Sequence, residues 1–342
     1  MHHRRLPPIP TRLSSDLVVA YLAPEEFAIP GIGVTFASTC QQCPSGCGVH
    51  GRVREGRVLK LEGNPEAMNG KGLCQMGQAS LQGHYNPDRI TQPMARKGGA
   101  LVPVSWDDAW KLMQEKASGT AQGRSAWFTG TVSGHQSVVL AALNKAWGSK
   151  DHYVYEAINN AVGEAVNKAV LGDAAPAYRL DKAKAILSFG ADFLGTWMSP
   201  VHFSREYAAK FRSGDRGVLI QVEPKMTLTG ANADLWVSAR PGTEGVVALG
   251  IANVLLSKHQ VDGKRLPQAA LDVISQYSVN KVTEITGVAG DTLVRIAKHL
   301  KERSPSLVLS GDSAHGHADG YQNAMAAMML NVLLGNVGET SE

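Results

Sequence analysis

The sequence predicts an α/β protein in which a small N-terminal β domain with a cysteine loop precedes interleaved α/β domains containing parallel sheets. Three observations predict it. All four cysteines fall between Cys40 and Cys74. The stretch between the third and fourth alternates apolar and polar residues (Val53, then Val58, Leu59 and Leu61) around an Arg54-Glu55-Gly56-Arg57 turn, the pattern of a β-hairpin. Further on, AKAILSFGA and GVLIQVEP are short apolar runs, each followed by a small glycine-containing turn and a helical stretch. Repeated βα alternation of that kind makes a parallel sheet.

From the N-terminus, residues 1–34 read as an extended segment. Their prolines oppose a helix, the Arg4-Arg5 pair has no apolar run behind it, and no signal peptide is visible in the chain. The chain has 342 residues, 44% of them hydrophobic, ample for a buried core. Thirty-four Lys and Arg against 30 Asp and Glu give a net charge of +4, and the basic residues are scattered. That distribution argues against nucleic acid as a partner. The longest apolar runs, VVALGIANVLL and AMAAMMLNVLL, are too short to span a bilayer, so a partner has to supply any membrane attachment.

Residues 35–95 form the β domain. Cys40, Cys43, Cys47 and Cys74 are spaced C-x2-C-x3-C-x26-C, and three readings compete. A disulfide pair suits an oxidising compartment and a small, core-poor domain, whereas these cysteines crowd one corner of a large chain. Structural zinc usually takes two close pairs. An iron-sulfur cube has four iron corners, which a tight loop with three thiolates and one remote thiolate can close. The spacing favours the cube, and Pro44, Gly46 and Gly48 let the backbone turn tightly with amides free to bond sulfide.

Residues 96–155 and 301–342 are read as one α/β domain and 156–300 as a second. Asp107 and Asp108 follow Trp106 as first-turn helix acids, placed to complement the helix dipole. His135, His315 and His317 follow strand ends and read as hydrogen-bonding loop residues, since no third metal ligand stands beside the H-x-H pair. Trp197, with Met198 and Pro200, reads as core packing rather than a substrate funnel.

The ordered set VREGRVLKLEGNP, GLCQMGQASL, HYNPDRITQPM and VSWDDAWKLM, followed by KAILSFGADF, VLIQVEPKMTLTGANADLWVSARPGTEGVVAL and SGDSAHGHADGYQNAMAAMMLNVLLGNVG, resembles the N-terminal half of the molybdopterin oxidoreductase superfamily of the dimethyl sulfoxide reductase type. The resemblance runs from residue 35 almost to the end, with the family's C-terminal domain absent. It implies a 4Fe-4S cluster on Cys40, Cys43, Cys47 and Cys74. It also implies a dinucleotide-binding region at Gly190, Asp192 and Glu223, where ligands of parallel sheets gather, with Thr243 and Glu244 placed to bond a purine edge.

Three departures bear on function. Met76 stands where the family commonly has a Lys or Arg between cluster and pterin, and methionine brings no charge. The segment where a metal ligand is expected offers Asn159, Asn160 and Glu156 but no thiol, serine or aspartate. Family subunits are also roughly twice as long. These departures disfavour a bound molybdopterin guanine dinucleotide.

The run from Phe189 to Arg212 is similar to the large iron-sulfur subunit of alternative complex III and its relatives. That similarity implies an electron-transfer oxidoreductase subunit in a membrane-attached bacterial respiratory complex, at the periplasmic face. The implied partners in this hetero-oligomer are a multi-cluster ferredoxin-like subunit and a quinone-binding membrane subunit. The rival readings are a molybdenum or tungsten bis-pterin catalytic subunit of the polysulfide or thiosulfate reductase type, and a cofactor-free scaffold.

Overall fold

The computed structural model describes residues 29–117, 125–172, 176–212, 214 and 216–337. Residues 1–28 of the expected extended segment and the end of the chain from Gly338 lie outside the described residues. The chain divides into two compact units at the Ala157–Ile158 junction.

In the first unit, β1 (Val34–Thr39), β2 (Gly48–Arg54) and β3 (Arg57–Gly63) form an antiparallel sheet in that order. The expected hairpin is β2–β3. Its two-residue turn puts Glu55 at φ 51° and Gly56 at φ 73°, the left-handed pair that matches strand twist. Helix α1 (Gln75–His84) follows the fourth cysteine. The Tyr85 hydroxyl just beyond it accepts from Val58 N at 2.7 Å and donates to Val58 O at 3.2 Å, tying the helix end to β3.

A second hairpin, β4 (Met94–Lys97) with β5 (Ala100–Pro103), leads to helix α2 (Trp106–Ala117). Asp107 and Asp108 occupy its first turn, and Ser105 Oγ accepts from Asp108 N at 3.1 Å, an N-terminal cap. Strands β6 (Ala126–Thr129) and β7 (Asp151–Val154) pair in parallel across helix α3 (His135–Trp147). The Trp127 and Trp147 rings stack 5.2 Å apart.

In the second unit, β8 (Ala185–Phe189), β9 (Val218–Glu223), β10 (Leu235–Ser238) and β11 (Ser306–Ser310) make a parallel sheet ordered β10-β9-β8-β11. The two apolar runs singled out in the sequence are β8 and β9. Alternate residues enter opposite cores. Leu187, Phe189, Ile220, Val222 and Val308 pack toward helices α7 (Glu244–Ser257), α8 (Gln268–Ser275), α9 (Val279–Thr286), α10 (Gly290–Glu302) and α11 (Gly320–Leu334). Ile186, Leu219 and Leu309 pack with Phe193, Trp197 and helix α5 (Pro200–Phe211). A parallel sheet buried on both faces reads as continuous apolar runs for this reason.

The sheet differs from the domain grouping read from sequence. Residues 301–342 were grouped with 96–155, yet β11 pairs with β8 in register from Ser306↔Ala185 to Ser310↔Phe189. Its edge is held besides by Asn331 of α11, which accepts from Val308 N at 2.9 Å and donates to Val308 O at 2.7 Å. The unit also contains α4 (Ala161–Leu171) and the one-turn α6 (Leu228–Ala231).

Candidate functional site

The cysteines sit where three elements end or begin. Cys40 follows β1 and Cys47 precedes β2, and Cys40 N donates to Cys47 O at 2.8 Å to close the loop between them. Gly46 takes φ 56° within it, a conformation that glycine adopts at no steric cost. Cys74 occupies the N-cap position of α1 without making a side-chain cap bond. The first-turn amides of a helix have no partner within it and carry the positive end of its dipole.

None of the four cysteines is in a disulfide, and their exposure ranges from buried Cys47 to exposed Cys43. Burial pushes the Cys47 thiol up, and the charges of Cys43, Cys40 and Cys74 push it further. Cys47 is therefore within electrostatic reach of the other three. Among the described residues, no group of three or more His, Cys, Asp or Glu side chains stands close enough together to hold a metal ion. The donor chemistry nonetheless fits an iron-sulfur cube: four unpaired thiols with helix and loop amides beside them. Met76, in the first turn of α1, is 54% exposed.

The spacing did not reveal what holds the loop. Asn69 is buried, with Oδ1 accepting from Gly48 N at 2.9 Å and Nδ2 donating to Gly48 O at 2.9 Å and Gly72 O at 2.8 Å. Its only sequence signal is the Asn69-Gly70 dipeptide, which reads simply as a turn.

In the second unit, the strand ends bring Gly190, Asp192, Glu223 and Asp312 to the carboxyl edge of the sheet. The chain leaves β8 toward α5 on one face and β11 toward α11 on the other, so the crevice between β8 and β11 is the topological switch point. Gly190 has φ 69°, and a Cβ there would lie 2.8 Å from Ala314 N.

Two of the predicted ligands are already engaged. Asp192 Oδ1 accepts from Thr229 N at 2.9 Å and Thr229 Oγ1 at 2.7 Å, while its own backbone N donates to Asp312 Oδ2 at 2.9 Å. Glu223 is fully buried and accepts from Thr227 N at 2.7 Å, Trp236 Nε1 at 3.1 Å, Gln221 Nε2 at 2.9 Å and Thr227 Oγ1 at 2.9 Å. Both carboxylates hold the protein together at these positions. Thr243 turns its hydroxyl to Arg240 O at 2.7 Å.

Glu244 behaves differently. It is fully buried in the first turn of α7, and neither oxygen has a hydrogen-bond donor. Burial raises its carboxyl above the usual range, against the opposing pull of His317 and nearby backbone amides. Trp197 Nε1, Ser313 Oγ and His315 Nδ1 are also buried without partners. Such orphans are rare in a finished interior, and Glu244 suits the donor edge of a purine.

Asn323, unnoticed in the sequence, joins the two loops. It accepts from Gly245 N at 2.9 Å and donates to Ala314 O at 2.9 Å. Near the expected metal-ligand position, Glu156 accepts from Thr131 N at 2.6 Å and Asn159 from Ala161 N at 3.0 Å.

The sequence matches the family described as molybdopterin oxidoreductase over residues 89–341 and the molybdopterin oxidoreductase Fe4S4 domain over residues 34–86. The chain belongs to the molybdopterin oxidoreductase family. It is 28% identical over 314 residues to the menaquinone reductase molybdopterin-binding-like subunit of Nitratidesulfovibrio vulgaris, covering 90% of this chain and 45% of that protein. It is 26% identical over 362 residues to the arsenate respiratory reductase molybdopterin-containing subunit of Shewanella sp., covering 90% and 41%. The chain thus spans less than half the length of these curated relatives.

Its fold is similar to part of that of acetylene hydratase from Pelobacter acetylenicus, with a TM-score of 0.73 over 89% of this chain and 44% of that one at 18% identity. Membership makes the chain part of an oxidoreductase family with an iron-sulfur-type β domain and a mixed α/β core. No described helix is long and apolar enough to cross a membrane.

Proposed function

We propose that this chain is the iron-sulfur electron carrier of a membrane-attached respiratory oxidoreductase, with one 4Fe-4S cluster on Cys40, Cys43, Cys47 and Cys74. The observation that carries the reading is the placement of four unpaired thiols after β1, before β2 and at the N-terminus of α1, within the residues that match the Fe4S4 domain. When bound, the cluster supplies one-electron redox chemistry. The chain's own contribution is to hold the thiolates, to shield Cys47 from water and to set Cys74 at the N-terminus of α1. Its partners in this reading are a multi-cluster ferredoxin-like subunit and a quinone-binding membrane subunit, at the periplasmic face. The relative from Nitratidesulfovibrio vulgaris, a molybdopterin-binding-like subunit of a menaquinone reductase, supports a quinone-linked role. The narrower link to alternative complex III rests on the Phe189–Arg212 run alone, and neither relative above is described as part of such a complex.

A second reading is favoured by the family itself. Relatives include the dimethyl sulfoxide reductase of Escherichia coli and a sulfite dehydrogenase subunit of Allochromatium vinosum, and two, of an arsenate respiratory reductase and a thiosulfate reductase, are described as molybdopterin-containing subunits. In that reading the chain is part of a molybdenum or tungsten bis-pterin catalytic subunit. The unpartnered Glu244 would then bond the guanine edge of the dinucleotide. Asp192 and Glu223, engaged within the protein, would shape the crevice rather than touch the cofactor.

Elemental analysis of anaerobically purified protein separates the two. About four irons and four labile sulfides per chain, without molybdenum or tungsten, is the expected result. One molybdenum or tungsten per chain, lost when Glu156 or Asn159 is replaced by Ala, would establish the second reading. Zinc in place of iron would sink both.

A further inference from the structure

We infer that Asn69 is the positioning residue for the fourth thiol: it fixes where Cys74 stands relative to the Cys40–Cys47 loop, and thereby makes the site a four-thiol rather than a three-thiol one. The inference rests on the reading that these cysteines hold a 4Fe-4S cluster.

Cys47 and Cys74 are separated by 26 residues, and the chain between them leaves the sheet after Gly63 and returns at α1. The return path, residues 64–73, meets the sheet through Asn64 N, which donates to Gly48 O at 3.0 Å, and then makes short backbone turns of its own: Ala67 N to Asn64 O, Gly70 N to Ala67 O and Gly72 N to Asn69 O. Past Asn64, the Asn69 side chain joins the stretch that leads to Cys74 back to Gly48. Asn69, 4% exposed, bonds both the N–H and the C=O of Gly48, the residue after Cys47. The same Nδ2 reaches Gly72 O at 2.8 Å, two residues before Cys74, and Gly70 O at 3.3 Å.

Holding one residue's backbone by both its donor and its acceptor while donating onward requires a primary amide. Aspartate of the same shape would set an oxygen against three carbonyls. The path is also pressed onto β3, since a Cβ at Gly63 would lie 2.5 Å from Lys71 C and 2.6 Å from Gly70 O. Residues that orient metal ligands without touching the metal typically change metal affinity or activity about 10 to 100-fold. Here the effect falls on one corner, because Cys40, Cys43 and Cys47 keep their own closure through Cys40 N and Cys47 O.

The test compares wild-type, Asn69→Ala, Asn69→Asp and Asn64→Ala full chains, purified anaerobically and treated with ferricyanide and an iron chelator. Asn64 lies in the same path, but its side chain accepts only from Glu66 N, so its variant controls for general loosening. With the Cys74 corner released, a 4Fe-4S cluster in the 2+ state gives up one Fe2+, and ferricyanide takes one electron to leave 3Fe-4S in the 1+ state.

Both Asn69 variants are expected to lose that iron about 10 to 100-fold faster than wild type and to show the paramagnetic three-iron signal. Wild type and Asn64→Ala should retain four irons. A four-iron cluster of wild-type lability in either Asn69 variant overturns the inference. So does complete loss of iron from both, which would mean that Asn69 supports the whole loop rather than the Cys74 arm. Wild-type protein without iron would instead defeat the cluster reading itself.

Discussion

His315 shows how a single side chain ties stability to pH. It is buried beside Ser310, with Nε2 3.0 Å from Ser310 Oγ, and burial alone lowers its pKa from 6.5 to about 4. The unfolded chain takes up this proton below about pH 6.5 and the folded one only near pH 4. The stabilisation is therefore complete above pH 6.5 and lost as pH falls toward 4, by about 3 kcal/mol in all. Burial raises Asp312 and Glu244 instead, and these act in the opposite sense, favouring the folded form as pH falls. The difference between wild type and His315→Gln isolates the histidine. Urea midpoints measured from pH 7 to pH 4 are expected to fall less steeply in the variant, and parallel curves would refute this account.

At the same scale, Cys43→Ser is expected to abolish the cluster's paramagnetic signal on reduction and to loosen the segment from Thr39 to Gly77, because such a segment folds around its metal. An unchanged spectrum would show that Cys43 is not a ligand. The cysteines were legible because their meaning lies in local spacing. Asn69, Asn323 and Asn331 were not. Each bonds backbone groups 21, 78 or 23 residues away, and nothing in the neighbouring sequence announces such a partner. Glu223 and Asp192 were legible as strand-end carboxylates, but the donors that engage them come from other elements.

Among the elements, β8 and β9 are plain in the sequence, whereas β11 falls in the stretch that the sequence reading groups with residues 96–155. Apolar runs announce strands, but strand order depends on crossovers that a run does not encode. The helices carry the consequence of that order. Ile251 of α7 is fully buried in the larger core together with Leu187 and Ile220. Ile251→Ala is expected to cost about 2–5 kcal/mol, measurable as a shift in denaturant midpoint. A loss below about 1 kcal/mol would mean that the core collapses around the site. The short β1 was missed because it has little alternation, and its pairing with β2 from Val34↔Val53 to Thr39↔Gly48 supplies what its sequence lacks.

On the scale of the whole molecule, the two units are stabilised differently. The second has two large apolar cores, whereas in the first Val49 and Cys47 are among few buried side chains. Metal binding to such a domain is also folding energy. Removing iron is therefore expected to raise hydrogen exchange across residues 34–84 while β8 and β9 keep their protection. Equal loss in both would contradict it. The proposed partners predict that crosslinking in native membranes captures a multi-cluster iron-sulfur protein near the cysteine loop, and recovery of homo-oligomers alone would refute that arrangement.

The strand order also has a consequence in time. Strand β8 lies inside the sheet, between β9 and β11, and every one of its residues is buried. Yet β11 begins at Ser306, 117 residues after β8 ends at Phe189. At roughly 5–20 residues per second on the ribosome, β8 waits roughly 6–23 s with one hydrogen-bonding edge bare. An unpaired apolar edge is a template for wrong pairing, so the nascent chain needs shelter over that interval, and slowing translation between Phe189 and Ser306 should lower the soluble yield.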